Sequence, residues 1–172
     1  MFYAPKPNKK GWLTSLSLIL MSVVVSSMSQ TVKFGGGIFN VASAVLLTAA
    51  LFISVRYVIS NYVYEITSDS FAVTKITGRR KTVVASLSLS EAIGISKRPK
   101  TKEERADFHS RFGKTDARMN FCRNLFADSY VLVSNFNGKK YEILLEVNAQ
   151  FADMIESAVS SARAARDEYG EN

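Results

Sequence analysis

Few side chains in this sequence can hold a proton, a metal or a phosphate, and those few are scattered. His109 is the only histidine and Cys122 the only cysteine. A nucleophile needs a base within hydrogen-bond reach and a third group to orient that base. His109 stands instead among solvated charges, so a surface histidine is expected. Cys122 lies in a strand-like pattern and reads as a small buried hydrophobe. With one thiol no intramolecular disulfide can form, which suits a reducing compartment. One His and one Cys cannot complete a zinc set without several well-placed carboxylates. Glu103, Glu104, Asp107 and Asp116 lie in a strongly basic stretch, where ion pairing with neighbours is the default. Gly35-Gly36-Gly37 opens an apolar segment rather than following a strand, so it reads as a turn and not as a phosphate loop. No catalytic, metal or cofactor residue is assigned, and no cofactor is expected. The remaining catalytic reading is a membrane enzyme working through Asp107, His109 and Asp116.

Positive charge is the feature that stands out. Arg79, Arg80 and Lys81 follow Gly78 at a predicted hairpin tip, and Lys97, Arg98, Lys100 and Lys102 make a second basic patch. The 22 Lys and Arg against 15 Asp and Glu give a net charge of +7. A basic protein can bind nucleic acid, but a basic face beside a bilayer has a nearer partner in anionic headgroups. Arg79, Arg80 and Lys81 are therefore the lipid-headgroup candidates, and no nucleic-acid partner is expected.

The bilayer enters through residues 12–59. Trp12 to Ser29 and Ile38 to Val55 are each 18 residues without a charge, and the second extends to Ile59 across Arg56. At a rise of about 1.5 Å per residue these are roughly 27 and 33 Å of helix, which brackets a hydrocarbon core of about 30 Å. Two buried helices of a soluble core would be the alternative. Ser15, Ser22, Ser26 and Ser29 fall near one helical stripe, and Ser43, Ala50 and Ser54 form another. Small residues let helices approach closely in lipid, so the hairpin is expected to close through these faces. Lys6, Lys9 and Lys10 before it, and Arg56 after it, outnumber Lys33 in the turn at Gln30 to Gly37. That places both termini in the cytoplasm of a multi-pass cell-membrane protein. Lys9-Lys10, the apolar run and Ser27-Met28-Ser29 also imitate a cleavable signal peptide, although residues 38–59 would still anchor the product.

Residues 1–11 read as a polar, mobile lead, and residues 60–172 as one cytoplasmic domain. Tyr62, Tyr64 and Ile66 alternate with polar partners, Phe71 to Ile76 resumes a strand, and Val83 to Leu89 alternates again; Ile93 and Ile95 close a fourth. Residues 97–118 carry eight Lys or Arg against four acids and read as a charged, exposed loop with one helical turn near Glu103 to Phe112. Met119 to Phe126 resumes order. Tyr130 to Phe136, Asn137-Gly138 and Lys139 to Val147 form a hairpin on a type I′ turn. Asn148 then caps a final helix with the apolar stripe Phe151, Ile155, Ala158, Val159 and Ala162. The fold class is α+β: about seven antiparallel strands around one C-terminal helix.

Two N-terminal spans leading into Tyr62-Val-Tyr-Glu-Ile-Thr, then Phe71-Ala-Val-Thr-Lys-Ile-Thr-Gly-Arg, Val83 to Ile95 with Leu89-Ser-Glu-Ala-Ile93, and the final helix resemble bacterial pleckstrin-homology-like membrane proteins. The resemblance covers Tyr62 to about Arg166 and implies a PH-like barrel or sandwich beside the membrane. It carries no catalytic residue. The function expected is a non-enzymatic membrane-anchored adaptor or regulatory protein, whose domain binds an unknown protein partner or an anionic lipid surface. The alternative is an accessory subunit of a larger transport or enzyme complex, assembled through the hairpin.

Overall fold

The computed structural model describes residues 1–7, 9–31, 36–124 and 127–170. Lys33 and Gly35 of the predicted outer turn, and Leu125 and Phe126, lie outside the described residues. The chain divides into two compact units: residues 7–61, and a domain made of residues 1–6 together with 62–172.

The first unit is the helical pair, α1 (Lys10–Thr31) and α2 (Gly36–Ile53), with α2 loosening into a wider π turn over Ser54–Ile59. Both helices are long and apolar enough to cross a membrane. Their contact is the predicted one. The Ser15 hydroxyl donates to the Ala50 carbonyl at 3.2 Å and meets the Ser54 hydroxyl. Seven residues on, Ser22 and Ser43 each donate to the other's carbonyl, at 3.1 and 3.0 Å. Gly36 is needed here: a Cβ would come within 2.8 Å of the Ser29 carbonyl oxygen. Hydroxyls bonded across small residues satisfy polar atoms that lipid would leave unpaired. Leu13, Leu20, Val23, Val41, Val45 and Leu51 remain exposed.

Among the described residues the domain holds two four-stranded sheets. One runs β1 (Phe2–Tyr3), β2 (Ser60–Ile66), β3 (Ser70–Thr77), β4 (Arg80–Ser88) in spatial order. After a 3₁₀ turn at Leu89–Glu91, the other is built from β5 (Ala92–Lys97), β6 (Ala117–Asn120), β7 (Tyr130–Phe136) and β8 (Lys139–Leu145), in the order β5-β7-β8-β6. Helices α3 (Lys102–Phe112) and α4 (Ala149–Gly170) complete it. The sheets do not close into a barrel: β1 and β4 edge one, β5 and β6 the other. Nor is the pairing wholly antiparallel, because β6 runs parallel to β8.

The main core is the face where Tyr64, Phe71, Leu132, Ile143 and Leu145 meet Phe151, Ile155 and Val159 of α4. The caps and turns are as read from sequence. The Phe151 amide donates to Asn148 Oδ1 at 2.9 Å, and Asn137 (φ 50°) with Gly138 (φ 73°) makes the β7–β8 turn. Burial pushes the Tyr64 phenol pKa upward; its hydroxyl donates to the Phe121 carbonyl at 2.9 Å and accepts the Glu146 amide at 3.1 Å. Ile155 is fully buried, so Ile155→Ala should lower the domain's unfolding free energy by about 3 kcal/mol in a denaturant titration. Glu156→Ala, which loses only a surface pair with Arg111 at 3.9 Å, should change it by well under about 1 kcal/mol.

Two elements differ from the sequence reading. Residues 1–6 are not a mobile lead: Phe2 pairs with Glu65 and Tyr3 with Tyr64, and the Ile66 amide donates to the Met1 carbonyl at 2.9 Å. The Tyr3 ring lies 5.1 Å from Phe151, and Arg123 and the Asn124 amide bond the Pro5 and Lys6 carbonyls. The helical pair is thus inserted between the first two strands of one sheet. In residues 97–118, the exposed loop is instead a three-turn helix. Thr101 and Glu104 form a reciprocal capping box, and Phe108 and Phe112, one turn apart, bury against Val131, Val133 and Leu144.

Candidate functional site

The two predicted basic sets have different settings. Arg79, Arg80 and Lys81 sit at the turn between β3 and β4, where Gly78 takes φ 60° and Thr77 faces Arg80. All three are exposed. Among the described residues none has a carboxylate within 4 Å. β4 is the sheet edge, and a register shift at Val73/Thr74 marks where the hairpin continues beyond the core as an arm. On that arm Val83 is 62% exposed. In register, Ile76 opposes Lys81 and Thr74 opposes Val83, so the apolar pair and a cation share one face. Cations and a bulge at an open edge also discourage strand addition.

Of Lys97, Arg98, Lys100 and Lys102, the first three line one cleft between β5 and α3. The Lys100 ammonium donates to Asp128 at 2.6 Å. That cleft measures about 360 Å³, and Lys102 opens α3 without lining it. Phe108 and Phe112 line that cleft, and Gly94 seats the Phe112 ring, since a Cβ there would lie 3.1 Å from its edge. Glu104, on the same cleft, is committed to the helix start; the Lys100 and Thr101 amides bonded to its carboxylate hold its pKa below the usual range.

The scattered reactive residues stay scattered. His109 Nδ1 lies 3.3 Å from the Gly113 carbonyl oxygen. Asp116 accepts the Lys140 amide at 2.8 Å. Cys122 is buried among Phe108, Val131 and Leu144.

The arrangement that sequence reasoning did not anticipate centres on Glu142 of β8, 1% exposed. Arg105 of α3 donates to it through both terminal nitrogens, at 2.8 and 3.2 Å. The Thr115 hydroxyl donates at 2.8 Å, and Arg118 Nε lies 4.0 Å away. A fork of this kind fixes α3 on the outer face of its sheet. The signal in the sequence was the second apolar face of β7 and β8: Val131, Val133 and Leu144 alternate out of phase with the main core, so something must cover them.

A search of curated proteins finds no match. A protein family described as bacterial PH-like domain (DUF6106) matches residues 4–163, from just after β1, through the helical pair, to the last turns of α4. With two sheets, a closing helix and an inserted apolar pair already in place, the chain belongs to this bacterial PH-like domain family.

Proposed function

We propose that the chain is a non-enzymatic membrane-anchored domain, with both of its flanks in the cytoplasm and the β3–β4 arm resting on an anionic lipid surface. The observation that carries the reading is the insertion. Phe2 and Tyr3 precede the apolar pair, Tyr64 and Glu65 follow it, and all four pair in one sheet. A segment that leaves the domain between these strands and crosses a bilayer must return on the side from which it left. The excess of Lys6, Lys9, Lys10 and Arg56 over Lys33 then selects the cytoplasm. A reporter active only in the cytosol, fused after Asn172, should work, and so should one active only outside, inserted at Gly36. The opposite pair of results would overturn the orientation.

The arm has the composition of a headgroup reader. Each cation near an anionic surface contributes about 1 kcal/mol, and the attraction fades within a Debye length of about 10 Å at 0.1 M salt. The test uses the full chain in nanodiscs, because residues 62–172 alone lack β1. Hydrogen exchange around Gly78 should slow in discs containing phosphatidylglycerol relative to neutral phosphatidylcholine, and recover at high salt. Changing Arg79, Arg80 and Lys81 together to Gln should abolish the difference while leaving the melting temperature within about 2 °C, as expected for solvated surface positions. Equal exchange in both lipids would clear the arm of a lipid role and favour a protein partner.

A further inference from the structure

The cleft between β5 and α3 is built from two stretches that are strongly charged in the sequence. Lys97, Arg98 and Lys100 line it from the end of β5 and the link that follows, and Arg111 lines it from the last turn of α3. Glu104 and Asp107 are the acids of the lining, so four cations and two anions share one cavity of about 360 Å³. One of those anions is already committed: the Glu104 carboxylate accepts the Lys100 and Thr101 amides, at 2.6 and 3.3 Å. Lys97 and Arg98 are exposed and, among the described residues, have no carboxylate within 4 Å. Lys100 and Arg111 do have partners, Asp128 at 2.6 Å and Glu156 at 3.9 Å, but all four side chains are more than half exposed. Exposed pairs contribute about 1 kcal/mol or less, so an incoming carboxylate can draw either cation from its partner.

The fold fixes both walls of the cleft. β5 is paired to β7 along its length. Thr101 and Glu104 cap α3 reciprocally, Arg105 ties the helix to buried Glu142, and Phe108 and Phe112 bury against Val131, Val133 and Leu144. The same two phenylalanines line the cleft, so an apolar strip lies at its base with cations on both sides. Positive charge alone would favour any anion. The strip selects further, because an inorganic anion or a free dicarboxylate has no apolar body to cover it. An extended peptide with carboxylates on either side of one apolar side chain matches both features, and a rigid site confines the ordering cost of binding to the peptide.

We propose that the β5–α3 cleft docks an acidic, extended peptide segment of a partner protein, in which carboxylates flank one apolar side chain. Lys97 and Arg98 receive carboxylates on the strand side and Arg111 on the helix side, while the apolar group lies against Phe108 and Phe112. Asp107, one turn before Arg111, repels a carboxylate set out of register and so fixes where the peptide's acids fall. The site is separate from the β3–β4 arm and does not depend on the arm's lipid role.

The probe is a short synthetic peptide, blocked at both ends, with two glutamates on each side of one phenylalanine and an uncharged dye. It is titrated by fluorescence anisotropy into the full-length protein in a nonionic detergent. Saturable binding that weakens as salt rises is the expected result. Glutamine in place of the peptide's glutamates should abolish binding, and glycine in place of its phenylalanine should weaken it. Lys97→Gln with Arg98→Gln should weaken binding at least about tenfold, with an unchanged melting temperature because both positions are exposed. Lys102→Gln with Lys114→Gln removes the same charge from exposed positions outside the cleft and should leave binding within about twofold. Absence of saturable binding, an equal loss in the two double variants, or binding indifferent to the peptide's phenylalanine overturns the docking site. Full competition by free glutarate at the peptide's own concentration overturns it as well, and would assign a small dicarboxylate in place of a peptide.

Discussion

A chain lacking residues 2–6 should lose on the order of 5 kcal/mol of domain stability, even though those residues lie far in sequence from the core they join. Tyr3 stacks near Tyr64 at 6.3 Å and tilts on Phe151 at 5.1 Å. Truncating a half-buried aromatic costs about 2 kcal/mol, below the range for fully buried rings. The segment also supplies the Pro5 carbonyl to Arg123 at 2.9 Å, the Lys6 carbonyl to Asn124 at 2.7 Å, and the ladder beside β2, at about 1 kcal/mol for each net bond. Single domains are stable by only about 5–15 kcal/mol, so the loss brings this one close to unfolding and leaves β2 as a bare edge. Thermal melts in detergent, followed by circular dichroism in the β region, provide the check, with Tyr3→Ala intermediate. A truncated chain that melts with the parent would show that β1 is ornamental and remove the topological argument for a returning hairpin.

The elements that depend on their own residues were legible. Residues 12–29 and 38–59 announced themselves because 18 charge-free residues have few other uses, and the serines of α1 and α2 could be matched because their spacing alone put them on facing stripes. Asn137-Gly138 and Asn148 carry their turn and cap chemistry within one or two residues. The basic tip at Gly78 was equally local.

What escaped depends on contacts distant in sequence. Phe2–Tyr3 has too few residues for any period to appear, and its pairing with β2 crosses the whole apolar hairpin. In α3 the apolar signal is Phe108 and Phe112 against a crowd of charges, although Thr101 and Glu104 already spelled a capping box. Glu142 reads as a solvent-facing residue of an alternating strand, and it becomes buried only when α3, some thirty residues earlier, lies over it. Its partners Arg105, Thr115 and Arg118 were for the same reason indistinguishable from surface charge. Lys97, Arg98 and Lys100 do share one cleft, as their closeness in sequence suggested, whereas Lys102 belongs to the first turn of α3.

The Arg105–Glu142 pair gives an asymmetric expected result. The carboxylate is 1% exposed while the Arg105 side chain is 36% exposed, so the two partners are stranded differently when the other is removed. Arg105→Met leaves a buried anion with the Thr115 hydroxyl and a distant Arg118, and should cost on the order of 4 kcal/mol, in the range for breaking a buried pair from one side. Glu142→Leu leaves a cation that can turn into water, and should cost about 2 kcal/mol, near the value of hydrogen bonds to charged groups. Joining the two changes should restore much of the loss, because an apolar pair of similar volume avoids the desolvation that the ions suffer. The measurement is a double-mutant cycle on unfolding free energies, with hydrogen exchange of α3 reporting whether the helix stays down. Additive costs would mean that Arg105 and Glu142 are stabilised independently, and that α3 is held by Phe108 and Phe112 alone. A larger loss for Glu142→Leu than for Arg105→Met would place the buried burden on the arginine instead.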